Sequence, residues 1–314
     1  MSTTRVLPPQ FQERFQALLG DEYERFITCL AQPATSFVRV NTLKLKLQRG
    51  IDRLTALGIA ATPLPWFTAG FSVSGNYAKL PFTRDYALGH FYIQEGGSMI
   101  PPVVLDPLPA HHVLDLCAAP GSKTTQIAQM MNNQGVLIAI DRSLRRLTGL
   151  GHNIQVCGVS NAIVLQKDGR YLAQQAPFKV DRVLVDAPCT ASGQLLSKAP
   201  QISQPDLRRI HGLQAVQKGL LSSGFQLLKP EGFIVYATCS LHPEENEMVV
   251  NHLLTKFSEA TIVQPKIHGL NHHLGLLHWE GHDFHESIRR CLRVYPHDND
   301  TDGFFIALIR RQAG

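Results

Sequence analysis

Two cysteines stand at positions where their thiols could do chemistry together. Cys189 lies in DAPCTASG and Cys239 in YATCSLHPEENE, and each follows an apolar, strand-like run. Strands of a parallel sheet end at the same edge, so two thiols at the ends of neighbouring strands could face one cleft. A thiolate that adds to carbon 6 of cytosine creates an enamine, which makes carbon 5 nucleophilic enough to accept a methyl group. Removal of the carbon 5 proton then requires a base on the opposite face, and a second thiol meets that demand.

The spacing of the two cysteines does not decide which thiol attacks and which assists. Asp186, at the end of the strand before Cys189, could hydrogen-bond the N3 or amino edge of the ring. Lys123 could hold that carboxylate or lower the pKa of a neighbouring thiol. The remaining cysteines are expected to be small buried side chains: Cys29, Cys117, Cys157 and Cys291.

The segment VLDLCAAPGSKTTQIA places a glycine-bearing loop between a strand and a helix, where backbone N–H groups can face a ligand. A phosphate-binding P-loop would need glycine where Cys117 and Ser122 stand, and a dinucleotide fingerprint would need more than Gly121. The loop therefore indicates a nucleoside cofactor without a pyrophosphate.

Three aspartates support that cofactor crevice. Asp141 ends the second predicted strand 20 residues after Gly121, the spacing at which a carboxylate reaches a ribose diol. Asp168 follows the third strand and could contact an adenine edge, and Asp186 ends the fourth. A single aspartate at a strand end is usually ordinary turn chemistry, but three in register favour a binding crevice.

Apolar runs alternate with helical patterns from Val113 onward, which is typical of an α/β fold with a doubly wound parallel sheet. Parallel strands are predicted at 111–116, 135–141, 161–166, 181–186 and 232–238, with helices in KTTQIAQMM, SLRRLTGLGHNI, 205–228 and PEENEMVVNHLLTKF, whose acidic first turn suits a helix N-terminus. Strands at 290–296 and 303–311 predict an antiparallel hairpin that closes a mostly parallel, seven-stranded sheet. Residues 1–95, with a strand in SFVRVNTLKL and a helix near 47–57, predict a small α+β domain before the α/β domain of residues 96–314.

Composition sets broad limits. Lys plus Arg number 30 against 25 for Asp plus Glu, and the pI of about 8.9 is compatible with an anionic partner. The six cysteines include no C-x-x-C pair, so free thiols in a reducing compartment are expected. No signal segment or membrane-spanning run is apparent, and a cytoplasmic protein without a membrane partner is the expectation.

Taken together, DLCAAPGSKTTQIA, DAPCTASG, ATCSLHPEENE and DGFFIA resemble the motifs of the RNA 5-methylcytosine methyltransferases, the RsmB/NOP family. LPPQF, VRVNTLK and FYIQEGGSMIPP resemble the N-terminal portion of that family. The resemblance implies a Rossmann-like class I methyltransferase fold, an RRM-like N-terminal domain that contacts RNA, and S-adenosyl-L-methionine as cofactor. It also implies that Cys239 is the nucleophile and that Cys189 promotes release, with Asp186 and Lys123 in support. The implied cofactor contacts are Cys117, Ala118, Ala119, Pro120, Gly121, Ser122, Lys123, Asp141, Arg146, Asp168 and Asp186.

The opening segment and APGSKT are most similar to the RsmF-like branch, which acts on small-subunit rRNA. That branch usually carries a long C-terminal extension with an RNA-binding module, which this chain is expected to lack. Short relatives without the extension act on tRNA, so rRNA is the favoured substrate and tRNA the alternative. A DNA cytosine methyltransferase and an inactive RNA-binding relative are less favoured. A monomer is expected.

Basic residues of the N-terminal half and of the cleft rim are candidates for phosphate contacts. They are Arg39, Lys44, Lys46, Arg49, Lys198, Arg208, Arg209, Arg289, Arg290 and Arg293. The histidine-rich segment 272–285 raises a zinc hypothesis, because His278, His282 and His285 could share a helical face. No cysteine joins them and Gly281 weakens a helix, so no metal is expected there.

Overall fold

The computed structural model of the chain describes residues 9–176, 178–197 and 206–313. None of its helices within these ranges is both long and apolar enough to cross a membrane. The helices are α1 (Pro9–Leu19), α2 (Tyr23–Leu30), α3 (Leu47–Ala56), α4 (Arg84–Ala87), α5 (Ile100–Leu105), α6 (Ser122–Met130), α7 (Leu144–Cys157), α8 (Leu172–Gln175), α9 (Leu207–Gln226), α10 (Glu247–Lys256) and α11 (Pro296–Asn299).

Two main sheets and one small strand pair organise the described residues. The strands are β1 (Ser36–Val40), β2 (Ile59–Leu64), β3 (Phe67–Gly75), β4 (Phe91–Ile93), β5 (His112–Asp115), β6 (Val136–Asp141), β7 (Ala162–Gln166), β8 (Val180–Asp186), β9 (Leu228–Thr238), β10 (Ala260–Val263), β11 (His273–Leu274), β12 (His278–Trp279), β13 (His282–Asp283), β14 (Leu292–Val294) and β15 (Phe304–Arg311). All the strands and long helices expected from the sequence are present.

The large sheet has the Rossmann-like architecture expected, but it is wider. Its strand order is β11-β14-β15-β9-β8-β5-β6-β7, and β10 pairs with β15 to make nine strands instead of the predicted seven. Strands β9 to β7 in this order run parallel, and β14 and β15 close the sheet antiparallel, as predicted. The two strands missed are β10 and β11, which have only four and two residues and therefore too short a pattern to detect.

The central strands are continuously apolar because both faces of the sheet are covered. Val183 and Val185 of β8 pack into one core, whereas Leu184 between them packs into the core on the other face. In the sheet, β5 lies between β6 and β8, so the chain continues from β5 to β6 and β7 on one side and then crosses to β8 and β9 on the other. Such a reversal leaves a crevice at the carboxyl ends of the strands.

The small sheet has the order β2-β3-β1-β4, is antiparallel throughout, and has α3 between β1 and β2. This is the strand order of an RRM-like fold. Val38 and Val40 of β1 pack with Leu54 of α3, while Phe37 on the other face joins the core of the large sheet. The face on which RRMs stack bases is therefore covered here.

Helices α1 and α2 do not pack in the core of the small sheet. Their apolar side chains form a separate cluster with Leu195, Leu196, Leu241 and Tyr295, which belong to the loops and strands after β8. The N-terminal segment thus lies against the elements that carry the two thiols. The domain boundary near residue 95 stays a prediction.

Candidate active site

A cleft of about 540 Å3 opens at the carboxyl ends of the parallel strands. Most of the residues singled out by sequence line it: Cys117, Ala119, Pro120, Ser122, Lys123, Asp141, Arg146, Asp168, Asp186, Cys189 and Cys239. Ala118 and Gly121 belong to the same loop but do not line the cleft. The crevice predicted from the positions of the three aspartates is therefore where these residues converge.

The two thiols are in contact. Cys189 follows β8, Cys239 follows β9, and their Sγ atoms lie 3.3 Å apart, with both side chains partly exposed. The backbone N–H of Gly193 donates to the carbonyl of Cys239, which ties the two loops together. A ring held between two sulfurs would need them about 7 Å apart, two van der Waals contacts. The expectation of a base on the opposite face of the ring is therefore not met, because the two sulfurs lie side by side.

A buried carboxylate fixes both thiol loops. Glu245 is fully buried and accepts hydrogen bonds from the N–H and hydroxyl of Thr190, at 2.9 and 2.5 Å, and from the Ser240 hydroxyl at 2.5 Å. The amide of Gln217 donates to the same carboxylate at 3.1 Å. Thr190 and Ser240 directly follow Cys189 and Cys239, so one side chain sets the position of both sulfurs.

Of the acidic residues of PEENE, only Glu247 stands in the predicted acidic first turn of helix α10, because Glu244 and Glu245 precede the helix. Helix α10 begins only at Glu247, and Glu244, Glu245 and Glu247 are all buried and bonded to specific partners. These carboxylates hold loops and neighbouring segments in place. Sequence periodicity alone could not distinguish that role from helix capping.

The surroundings of Cys189 favour the protonated form of its thiol. Its hydrogen bond with Cys239, then burial, then the negative charges of Cys239 and Glu245 raise the pKa of Cys189 well above the usual range of a thiol. A protonated Cys189 can donate its S–H to the sulfur of Cys239.

Lys123 and Asp186 form an ion pair inside the cleft. The Lys123 Nζ lies 2.7 Å from Asp186 Oδ2, and Lys123 is only 7% exposed. Burial opposes the charge of Lys123, but the adjacent Asp186 carboxylate outweighs it and raises the lysine pKa. The predicted partnership of these residues is thus present.

The loop before α6 depends on glycine at one position. Gly121 has φ of +110°, and a Cβ atom there would lie 2.9 Å from Leu150 Cδ1. The loop is also held by buried Asp115, which accepts the Cys117 N–H and the Thr124 hydroxyl. Burial is the main cause that raises the pKa of Asp115 to about 7.

One buried carboxylate oxygen of Asp141 has an ion-pair partner but accepts no hydrogen bond from the residues that the structure describes. Its Oδ1 accepts the Ser143 N–H at 2.9 Å, whereas Oδ2 has no hydrogen-bond partner among the described residues and lies 3.0 Å from Arg146 Nη1 as an ion pair. Arg146 also donates to the carbonyl of Ala119. A buried acceptor of this kind fits a ribose hydroxyl.

Asp168 is paired with an arginine that was not predicted from the sequence. Arg170 donates to both of its carboxylate oxygens, at 3.0 and 2.6 Å, and these hydrogen bonds lower the pKa of Asp168. Both side chains line the cleft. A ligand at this end would meet an arginine as well as a carboxylate.

Glu95 is a second missed residue of the cleft. It accepts N–H bonds from Ser98 and Asp302, and burial together with the Asp302 carboxylate raises its pKa to about 7. It lies in FYIQEGGSMIPP, a segment the sequence analysis used only to mark a boundary and a resemblance. An acidic residue inside that otherwise apolar stretch was the available signal.

Two of the basic candidates for RNA contact are wrong. Arg39 is fully buried and bonds to Gln94, Gln129 and Thr125, and Arg293 is 1% exposed and paired with Glu247 at 2.6 Å. The candidates with exposed side chains are Lys44, Lys46, Arg49, Arg208, Arg209, Arg289 and Arg290. Lys198 lies outside the described residues.

Comparison with known proteins gives two family matches and close relatives. The model described as 16S rRNA methyltransferase RsmB/F matches residues 102–310, and that of the N-terminal domain of 16S rRNA methyltransferase RsmF matches residues 7–96. The chain is 38% identical to ribosomal RNA small subunit methyltransferase F of Erwinia tasmaniensis, over 99% of this chain and 65% of that protein. It is 39% identical to tRNA (cytosine(49)-C(5))-methyltransferase of Pyrococcus abyssi, over 95% of this chain and 94% of that protein.

A solved structure agrees with this fold. The crystal structure of a methyltransferase homolog protein from Pyrococcus horikoshii superposes with a TM-score of 0.85 at 36% identity, covering 96% of this chain and 94% of that one. The chain spans 65% of the length of the Erwinia tasmaniensis relative, whereas it spans nearly all of the archaeal proteins.

Proposed function

The chain belongs to the 16S rRNA methyltransferase RsmB/F family, and on this premise we propose that it transfers a methyl group from S-adenosyl-L-methionine to carbon 5 of a cytosine in RNA. The observation that carries the proposal is the contact between Cys189 and Cys239 beside the Lys123–Asp186 pair in one cleft. As the family resemblance implies, Cys239 is the nucleophile and Cys189 serves release.

The first step makes a carbon–sulfur bond. The Cys239 thiolate adds to carbon 6 of cytosine, and the electrons of the C5–C6 double bond become available at carbon 5. Asp186, paired with Lys123, accepts a hydrogen bond from the amino N–H on the cytosine edge and orients the ring. S-adenosyl-L-methionine, when bound, supplies the methyl group. That group must arrive on the ring face that Cys239 leaves free, so the proton left on carbon 5 points towards the two sulfurs.

The second step removes that proton. Before the reaction, the hydrogen bond to Cys239 and burial raise the pKa of Cys189. Once Cys239 is bonded to carbon 6, its hydrogen bond and charge no longer act, so the pKa of Cys189 falls and its proton passes to solvent. The Cys189 thiolate then takes the carbon 5 proton, the C5–C6 double bond re-forms, and the carbon–sulfur bond breaks to return Cys239 as a thiolate. One proton leaves for each methyl group transferred.

The residues of the cleft fit the proposed cofactor. Oδ2 of Asp141, which pairs with Arg146 but accepts no hydrogen bond within the described part of the chain, suits a ribose hydroxyl. The loop from Cys117 to Lys123 can face the methionine part. We assign the contact with the adenine base to Asp168 together with Arg170, which both line the cleft. Cofactor binding by these residues is part of the proposal.

We propose rRNA as the first candidate substrate and tRNA as the second. Both family matches support rRNA, while the relative from Pyrococcus abyssi, of which the chain covers 94%, supports tRNA. In either RNA the target base must be unstacked to reach the thiols, which favours loops or opened helices. A cytoplasmic location, the monomeric state and the RNA-contacting role of residues 1–95 stay predictions from sequence.

The test of the proposal is to incubate the protein with methyl-labelled S-adenosyl-L-methionine and, separately, small-subunit rRNA, tRNA or DNA. Digestion of each polymer to nucleosides shows which base carries the label. We expect 5-methylcytidine in one of the RNAs. Label in DNA only, on another base, or in none of the three would contradict the proposal.

A further inference from the structure

A group of potential metal ligands lies outside the cleft, where the N-terminal helices meet the closing end of the sheet. We term it the His–carboxylate cluster; its members are Glu22, His273, His297 and Asp298. Each offers one ligand atom, and all four atoms lie within 4.8 Å of one another. Within residues 9–176, 178–197 and 206–313 it is the one group of this kind, and none of its members lines the cleft.

The spacing of the ligand atoms suits a tetrahedral zinc ion. Zinc bonds to nitrogen and oxygen place ligand atoms about 3.4 Å apart in a tetrahedron. Glu22 Oε2 lies 3.3 Å from Nε2 of His273 and 2.8 Å from Nε2 of His297. Asp298 Oδ1 lies 3.0 and 3.9 Å from the same two nitrogens. Two imidazoles and two carboxylates are a zinc donor set, and the two carboxylates balance its charge.

The ligands are held in place by their surroundings. The side chain of His297 is 3% exposed, and its ring stacks on Tyr295 at 5.7 Å and meets the edge of Phe26 at 6.1 Å. Asp298 uses Oδ2 to accept the Tyr295 N–H at 2.7 Å, which leaves Oδ1 facing the histidines. Side chains fixed in this way lose little entropy when they bind a metal.

From these observations we propose that the His–carboxylate cluster binds a zinc ion that fastens the N-terminal helices to the closing end of the sheet. Glu22 comes from the turn between α1 and α2, whereas the other three ligands lie in β11 and α11. The site therefore joins chain segments separated by about 250 residues, Glu22 to His273. A metal bound here takes the place of the hydrogen bond between Nε2 of His273 and Oδ1 of Asp298.

The histidine-rich segment contributes only one residue to this site. His278 and His282 lie in the β12–β13 pair instead of a helix, and His278 bonds to Asp283 at 2.7 Å. The helical face considered in the sequence analysis does not exist. The partners of His273 are distant in sequence, so no motif could have indicated them.

Cobalt substitution tests the site directly. The protein carrying Cys189→Ser and Cys239→Ser, which removes the paired thiols as competing ligands, is treated with chelator and titrated with Co2+. We expect one equivalent of cobalt with visible d–d bands, no thiolate charge-transfer band, and displacement by zinc. His273→Ala is expected to weaken binding at least tenfold, whereas His282→Ala, an exposed histidine nearby, leaves it unchanged. Absence of the visible bands, or equal effects of the two variants, would overturn the proposal and leave a hydrogen-bonded histidine–carboxylate network.

A second measurement covers the case in which a histidine variant fails to fold. Glu22 is about one-third exposed, so Glu22→Gln preserves the packing while removing the only ligand from the N-terminal helices. Zinc is expected to raise the melting temperature of the parent protein and to have a much smaller effect on Glu22→Gln. Equal melting temperatures of the parent with and without zinc would overturn the proposal.

Discussion

Glu245 is expected to control the reaction without touching the substrate, by holding the two thiol loops together. The variant Glu245→Gln keeps the shape of the side chain and removes its charge. Glu245 accepts four hydrogen bonds, two from Thr190 and one each from Ser240 and Gln217. An amide can accept at only one of its two terminal atoms, so part of this network must rearrange or be lost.

The size of the effect follows from the bonds involved. A hydrogen bond to a charged group contributes about 1.5–3 kcal/mol and one between neutral groups about 0.5–1.5 kcal/mol, a difference of about 1 kcal/mol per bond. For a fully buried group with four such bonds, the loss of unfolding free energy should be about 2–4 kcal/mol. If only about 1.4 kcal/mol of this loss is added to the activation free energy of the reaction at the thiols, methyl transfer slows tenfold.

Glu244→Gln is the matched control. Glu244 is also buried, but it bonds to Arg14 at 2.5 and 2.6 Å and to Trp279, away from the thiols. Urea unfolding should show a comparable loss of unfolding free energy for both variants. Only Glu245→Gln should slow methyl transfer and disulfide formation between Cys189 and Cys239 under a thiol oxidant. Equal activity of the two variants would refute the positioning role of Glu245.

Three further outcomes are expected. Because the sulfurs of Cys189 and Cys239 lie 3.3 Å apart, a mild thiol oxidant should join them in a disulfide and abolish methyl transfer. Dithiothreitol should restore the activity, and full activity of the disulfide form would contradict the mechanism. Burial raises the pKa of Asp115 to about 7, so the carboxyl binds its proton more tightly in the folded than in the unfolded protein. The stability that this proton contributes is fully present below about pH 4. It is lost as the pH rises towards 7, which lowers the unfolding free energy by up to about 4 kcal/mol. Asp115→Asn should flatten this slope in urea unfolding at several pH values, and an unchanged slope would exclude Asp115 as its source. Replacing exposed Arg208 and Arg209 by Gln should lower the salt dependence of RNA binding by roughly 0.7 per lost phosphate contact, whereas Arg39→Gln should lower the melting temperature and leave the salt slope unchanged; the reverse pattern would contradict the assignment of Arg39 to the interior.

Much of the fold followed from the sequence because parallel strands covered on both faces carry unbroken apolar runs. Val183, Leu184 and Val185 belong to such a run, and each packs into a core on one face or the other. The additional strands β10 and β11 were missed because their pairing depends on β15 and β14, which are distant in sequence. Helices α1 and α2 were assigned with the small sheet, but their contacts are with Leu241 and Tyr295, which no local pattern reveals.

The site was predictable where its residues stand at strand ends, as Asp141, Asp186, Cys189 and Cys239 do. Residues that act through partners were harder to recognise. Glu245 looked like part of an acidic helix start, and the guanidinium of Arg39 looked available to phosphate. Charge and residue type do not identify the few charged side chains that are buried, and burial decides whether such a group binds RNA, caps a helix or holds a loop.

The central claim is that Cys239 forms a bond to cytosine and that Cys189 is needed to break it. The most direct measurement is denaturing gel electrophoresis of RNA mixed with each single alanine variant and S-adenosyl-L-methionine. The account predicts that Cys189→Ala leaves RNA covalently attached to the protein, while Cys239→Ala shows no attachment and no methyl transfer. Attachment in Cys239→Ala, with none in Cys189→Ala, would contradict it.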